Sequence, residues 1–322
     1  MTKRVLTMLA ALTLLLGGCH AAARRQLEWT RIAAAADCHC ADGSPFAFWE
    51  RRADAKKVVF FLNGGGVCWD AASCAFTGEH GENDNYDWSL VGTDPENRAG
   101  LFDTTRSDNP FAGYSYLYVS SCTGDAHLGT SGLHHGYANG TAALDYLAAR
   151  YPDATQVVVV GKTAGSVAAP LYGREVANRL PKAKVIVFGA QSGAWPDSPA
   201  LTSDLLEAQW GAAVDGRTVP RFWIQKGLVL ARFDFAYDPH ASREVTRWMD
   251  GSLLATIDRN EATIEAAGVT LHSYTAPGAD HQIFELDKFY GTTVNGVRLV
   301  DWLKDLVTGK PPADVHCTEC GP

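Results

Sequence analysis

The valine-rich run Gln156-Val157-Val158-Val159-Val160 leads directly into Gly161-Lys162-Thr163-Ala164-Gly165-Ser166 and then into a helix-forming segment, and no other feature constrains this chain as tightly. A strand that turns sharply into a helix is the frame of a nucleophile elbow. Small residues must flank the nucleophile there because the turn is strained and closely packed. Gly161, Ala164 and Gly165 supply that smallness, and the residue at the apex is Thr163. The helix after the turn aims its first N–H groups and its positive dipole end at the apex, which suits a developing oxyanion.

Further strand-like segments, rich in Val, Phe and Tyr, recur at 46–51, 58–62, 114–120, 185–188, 229–233 and 269–274. Helical patterns separate them at 140–150, 165–180, 243–267 and 299–307. Strands alternating with helices predict a mainly parallel sheet covered on both faces. Nothing in the pattern demands a second domain, so residues 38–322 are expected to form one α/β unit. The pair Pro311-Pro312 sets off a cysteine-bearing tail.

The amino terminus has another role. Lys3 and Arg4, the apolar stretch Val5 to Leu16 and the sequence Leu16-Gly17-Gly18-Cys19 form an export leader (1–18) with a lipoprotein cleavage box. About 12 apolar residues fall short of the roughly 20 that cross a bilayer. Cys19 is then the lipidated first residue and 19–37 a tether or short helix, so the membrane is met only through acyl chains. The cleavage box resembles that of bacterial lipoproteins, and with His20 rather than Asp after Cys19 that resemblance implies the outer membrane. Loss of Lys3 and Arg4 with the leader moves the formal net charge from -8 to -10, which argues against a nucleic-acid partner. With 46% hydrophobic and 20% charged residues the composition is that of an ordinary globular protein.

Apart from Cys19, seven cysteines remain: Cys38, Cys40, Cys68, Cys74, Cys122, Cys317 and Cys320. Export favours bridges over free thiols, and an odd number leaves at least one unpaired. Cys68 and Cys74 share one short loop and form the best pair. A zinc site built from Cys38-His39-Cys40 and His316-Cys317 with Cys320 is the other use of these residues. The disulfide reading needs neither metal nor cofactor.

Two more segments extend the elbow. Gly64-Gly65-Gly66 follows the strand ending at Leu62 and lets the backbone pass close to a substrate carbonyl, as the second oxyanion donor of such hydrolases requires. A phosphate loop would need Gly-Lys-Ser/Thr at its end, which is absent. Late in the chain, Ala276-Pro277-Gly278-Ala279-Asp280-His281 follows a strand and places His281 where the order nucleophile, acid, base puts the base. Asp234 and Asp238 compete for the acid, after the preceding strand.

On these residues the chain resembles the pectinacetylesterase family, which includes the animal Notum carboxylesterases. The segments that carry the resemblance are CADGSPFAFW (40–49), FFLNGGGVCWDAASC (60–74), NPFAGYSYLYVSSCTGDAHLG (109–129), HHGYANG (134–140), GKTAGS (161–166), APGADHQIF (276–284) and GVRLVDWLKDLVTG (296–309). The resemblance implies an α/β-hydrolase fold and a Ser-Asp-His triad that removes acetyl or other acyl groups from esters, in many members from plant cell-wall pectin. It puts the family's serine on Thr163, its histidine on His281 and its oxyanion donors on Gly64, Gly65 and Ala164. A family pattern of Asp followed three residues later by Gln falls on Asp238, with Ala241 in place of the Gln. Matching strand ends would favour Asp234, and the choice falls on Asp238.

Threonine keeps a hydroxyl that His281 could deprotonate. Its β-methyl, however, stiffens χ1 and disfavours the positive φ of an elbow. Ser166, one turn on, cannot replace it without rebuilding the turn. Two functions are therefore expected: an exported carboxylic-ester hydrolase with Thr163 as nucleophile, or an impaired homologue that binds a glycan or acylated ligand at the cell envelope. Nine tryptophans are compatible with sugar stacking in the second.

Overall fold

In the computed structural model, residues 27–77, 81–93, 95, 99–240, 248–249 and 251–321 are described. Cys19, the leader and Ala241 lie outside the described residues. Nine strands form one sheet: β1 (Thr30–Ala33), β2 (Ala47–Arg51), β3 (Asp54–Leu62), β4 (Tyr114–Val119), β5 (Gln156–Lys162), β6 (Lys184–Ala190), β7 (Val229–Phe235), β8 (Leu271–Ala276) and β9 (Val315–His316). Their spatial order is β1-β2-β4-β3-β5-β6-β7-β8-β9. The pairings of β2 with β1 and with β4 are antiparallel and the others are parallel.

Side chains on β5 alternate between two separate cores. Val157 and Val159 join Val58, Phe60 and Leu62 on one face, with Leu144 and Leu147 of α1 (Gly136–Arg150) and Val167 and Val176 of α2 (Ala164–Arg179). Val158 and Val160 join Phe61, Ile186 and Phe188 on the other, where Trp302, Leu303 and Leu306 of α4 (Leu299–Thr308) cover them. A strand buried on both sides must be apolar throughout, and the valine run meets that need. This is the α/β-hydrolase fold.

The structure differs from the sequence expectations at several boundaries. Residues 30–33, expected in a tether or short helix, pair with β2 from Thr30↔Glu50 to Ala33↔Ala47. The adjoining Trp29 packs on the buried Arg51, whose guanidinium lies 4.5 Å from the ring centroid. Backbone pairing and this cation–π contact, neither legible from local sequence, convert the supposed tether into an edge strand. Of the helix expected over 243–267, residues 243–247 and 250 lie outside the described residues, and the described part is α3 (Leu253–Ala266). Ser252 caps it by accepting from Ala255 N at 3.2 Å, and Gly251 with φ 98° breaks the chain before it. β8 starts and ends two residues later than expected.

The disulfides are Cys40–Cys122, Cys68–Cys74 and Cys317–Cys320, and Cys38 is the free, buried thiol. The expected Cys68–Cys74 pair is present. Three of the four thiols of the zinc reading are thereby spent on bridges. Loop length decides what each bridge contributes: Cys40–Cys122 spans 82 residues and Cys317–Cys320 only 3. Replacing both Cys40 and Cys122 by Ser is expected to lower the unfolding free energy by about 4 kcal/mol, and the same change at Cys317 and Cys320 by less than about 2 kcal/mol. Denaturant melts of the two variants check the contrast, and equal losses would contradict it.

Candidate active site

Thr163 joins β5 to α2 with φ 48° and ψ −116°. A β-branched residue at positive φ costs on the order of 1–3 kcal/mol and persists only when its surroundings over-determine it. They do so here. Thr163 N donates to Ala190 O at 2.9 Å and Ser166 N donates to Thr163 O at 2.9 Å. A Cβ added to Gly161 would lie 2.5 Å from Ser166 Cα, and one on Gly165 would lie 2.2 Å from Leu62 O. Side chains at these two positions would push the elbow off the sheet.

The Thr163 hydroxyl faces the glycine loop, since a Cβ on Gly64 would fall 1.7 Å from Thr163 Oγ1. Gly64 N and Gly65 N donate to no backbone acceptor among the described residues, while Gly65 O accepts from Asp87 N at 2.8 Å. Ala164 opens α2, so its N–H sits in the unpaired first turn. Of these three residues, Gly64 lies directly against the Thr163 hydroxyl. Ser166 lies elsewhere, wholly buried with its Oγ 2.6 Å from Ser192 Oγ.

The loops after β7 and β8 carry the acid and the base. Ala236 N donates to Ala276 O at 2.9 Å and Tyr237 N to Gly278 O at 3.1 Å, which ties the loops together. Asp238 Oδ1 accepts from His240 N at 2.9 Å, and Oδ2 lies 2.7 Å from His281 Nδ1. A carboxylate held by a backbone N–H on one oxygen presents the other in a fixed direction. Nδ1 then carries the proton and Nε2 is left as the acceptor. Asp234 is engaged otherwise: it accepts from Gly193 N at 2.8 Å and pairs with Arg232 Nε at 2.8 Å. Burial pushes its carboxyl up to about 6 against the pull of Arg232 and of the Gly193 amide. Of the two competing aspartates, Asp238 is the one that touches His281.

Thr163, Gly64, Gly65 and His281 line one cavity of about 820 Å³. Thr163 Oγ1 makes no hydrogen bond among the described residues, and none joins it to His281. The two side chains line the same cavity with no hydrogen bond between them.

Sequence reasoning missed the support beneath the glycine loop. In the segment CTGDAHLG, Asp125 is fully buried and accepts from Thr123 Oγ1 and Gly136 N, each at 2.8 Å, and from His127 N at 3.1 Å. His127 Nε2 in turn donates to Asn63 O at 2.8 Å, the carbonyl just before Gly64. Burial lowers the His127 pKa, which keeps the ring neutral with its proton on the nitrogen that faces a carbonyl. Ala126 and His127 both have positive φ, 50° and 61°. An Asp two residues before a His in a strand-end loop was the available signal. Lys162 and Glu285, paired at 2.8 Å across the cavity wall, were also missed.

Residues 20–215 match the protein family described as Pectinacetylesterase. Two solved structures of the Wnt deacylase Notum from Drosophila, in two crystal forms, superpose with a TM-score of 0.68 each, at 16% and 15% sequence identity. The likeness covers 92% of this chain and 98% of each of those chains. No curated protein matches the sequence.

Replacing Asp234 by Ala leaves Arg232 charged, buried and unpaired. The variant is expected to lose about 3–5 kcal/mol of unfolding free energy. Denaturant melts check this, and a loss below about 1 kcal/mol would show that the pair is not structural.

Proposed function

The chain belongs to the pectinacetylesterase family, and from that premise we propose that it is a carboxylic-ester hydrolase in which Thr163 is the nucleophile. His281 takes the Thr163 proton on Nε2 as the oxygen attacks the ester carbonyl. Asp238 holds the imidazole and stabilises its charged form. The N–H groups of Gly64, Gly65 and Ala164 receive the oxyanion. Collapse of the tetrahedral intermediate returns the proton to the departing alcohol and leaves an acyl-threonine. Water, activated by the same histidine, then releases the acid and restores the hydroxyl.

The observation that carries this reading is the Asp238–His281 pair at 2.7 Å on the wall of a cavity shared with Thr163 and Gly64. Proton transfer requires a hydrogen bond from the Thr163 hydroxyl to His281, which the stiff χ1 of a β-branched side chain makes harder to form. A displacement of about 1 Å in the attacking atom costs about 10²-fold in rate. The missing hydrogen bond between Thr163 and His281 also favours a second reading, a homologue whose pocket binds an acylated polysaccharide or another ester without turning it over.

Hydrolysis of a short-chain aryl acetate by the soluble chain that starts after Cys19 separates the two. If Thr163 is the nucleophile, Thr163→Ala is expected to lose at least about 10³-fold in kcat/KM, as are Asp238→Asn and His281→Ala, and Thr163→Ser to gain about 10- to 100-fold. An inert native protein with an active Thr163→Ser variant would move the function to binding.

We further propose export to the bacterial cell envelope, with a lipid at Cys19 as the sole membrane attachment and the outer membrane as destination. Support comes from the leader and its Leu16-Gly17-Gly18-Cys19 box. Labelled palmitate is expected to enter the native protein but not Cys19→Ala, and equal labelling would remove the anchor.

A further inference from the structure

If the cavity is a hydrolase site, the reading on which this inference rests, its charge bears on which ester it takes. Its described lining carries the carboxyl side chains of Glu82, Asp84, Asp87, Asp280 and Glu285. Against these stand only two lysines, Lys162 and Lys288, and each is already matched, to Glu285 and Asp280 respectively. The excess is therefore negative and gathers on the hairpin of Glu82 to Asp87. Glu82 and Asp87 face one another across an antiparallel bridge, with the Asn83 side chain accepting from Asn85 N at 2.7 Å and Tyr86 N at 2.9 Å to hold the turn. Like charges placed directly opposite are destabilising. The fold nevertheless sets them beside the glycine loop, with Asp87 Oδ2 2.7 Å from where a Gly65 Cβ would lie.

A second observation points the same way. Asn63, on the cavity wall beside Gly64, is 6% exposed, and its Oδ1 has no hydrogen-bond partner among the described residues. Glu285 Oε2, on the same wall, is also buried without a partner there. Both are acceptors, and an unpaired buried acceptor calls for a donor. A ligand that brought a carboxylate would add a third acceptor to a negative site and satisfy neither. An ammonium group brings donors and the opposite charge together.

We infer that the cavity selects esters whose alcohol portion bears an ammonium group, as in an O-acylated amino sugar, and disfavours anionic esters such as those of a polyuronate. The lining offers few apolar residues, Tyr86, Tyr118 and Leu286 among them, which suits a short acyl group.

Three matched aryl acetates test this: 4-acetoxybenzylammonium, 4-acetoxybenzyl alcohol and 4-acetoxybenzoate. Each kcat/KM is divided by the ester's own alkaline hydrolysis rate. At about 10 mM salt the cation is expected to exceed the anion by about tenfold or more, with the neutral ester between them, and the gap to close at about 0.5 M salt. Glu82→Gln is expected to cut the cation-to-anion ratio about threefold. Equal rates, or preference for the anion, would overturn the inference. If neither the native protein nor Thr163→Ser hydrolyses any of the three, the hydrolase reading has failed, and NMR titration with benzylammonium and benzoate reads the charge preference by itself. Tighter benzylammonium then sustains the inference, and equal or tighter benzoate sinks it.

Discussion

The site depends on backbone meeting backbone without intervening side chains. The elbow after β5 lies against the end of β3 so closely that Gly165 touches Leu62 O and Gly64 touches the Thr163 hydroxyl. Close approach sets the glycine loop against the hydroxyl. It also sustains the positive φ of Thr163, which no threonine would adopt in an open turn. Strain and the geometry of the site are thus one feature. Relaxing the turn would relieve the first and dissolve the second.

Two apolar cores, one on each face of the sheet, leave the strand ends free to carry polar groups. The glycine loop, Thr163, Asp238 and His281 follow the carboxyl ends of β3, β5, β7 and β8, where an open α/β sheet places its ligands. Asp125 and His127 extend this layer below the glycine loop and make the position of Asn63 O a consequence of CTGDAHLG rather than of the loop itself. The loop is three glycines long and has no rigidity of its own. Its order is borrowed from Asp87, bonded to Gly65 O, and from His127, more than sixty residues away in sequence and bonded to Asn63 O.

Local patterns in the sequence were enough to locate the elbow, the glycine loop and His281, because each is a strand followed by a short signature. The long-range contacts were not legible. Nothing near Cys40 names Cys122 as its partner, and nothing near Trp29 announces the ladder with β2. The choice between Asp234 and Asp238 does have a clue in the sequence. Arg232 and Asp234 are two apart on β7 and so share a face, and a buried strand brings such a pair together. That pairing removes Asp234 from the competition and leaves Asp238 for the histidine. Thr163 shows the opposite limit: residue preference argues against its backbone conformation, and the packing around it prevails.

The strands at the two margins of the sheet are among its shortest. β1 has four residues and β9 has two, the latter laid beside β8 through Val315↔Tyr274 and His316↔Thr275. A long exposed margin offers rows of unpaired N–H and C=O groups on which a neighbouring chain can polymerise. Here each margin ends in a stub with almost no template to copy. Such a sheet tolerates crowding: molecules packed side by side at high surface density would touch without their sheets growing into one another.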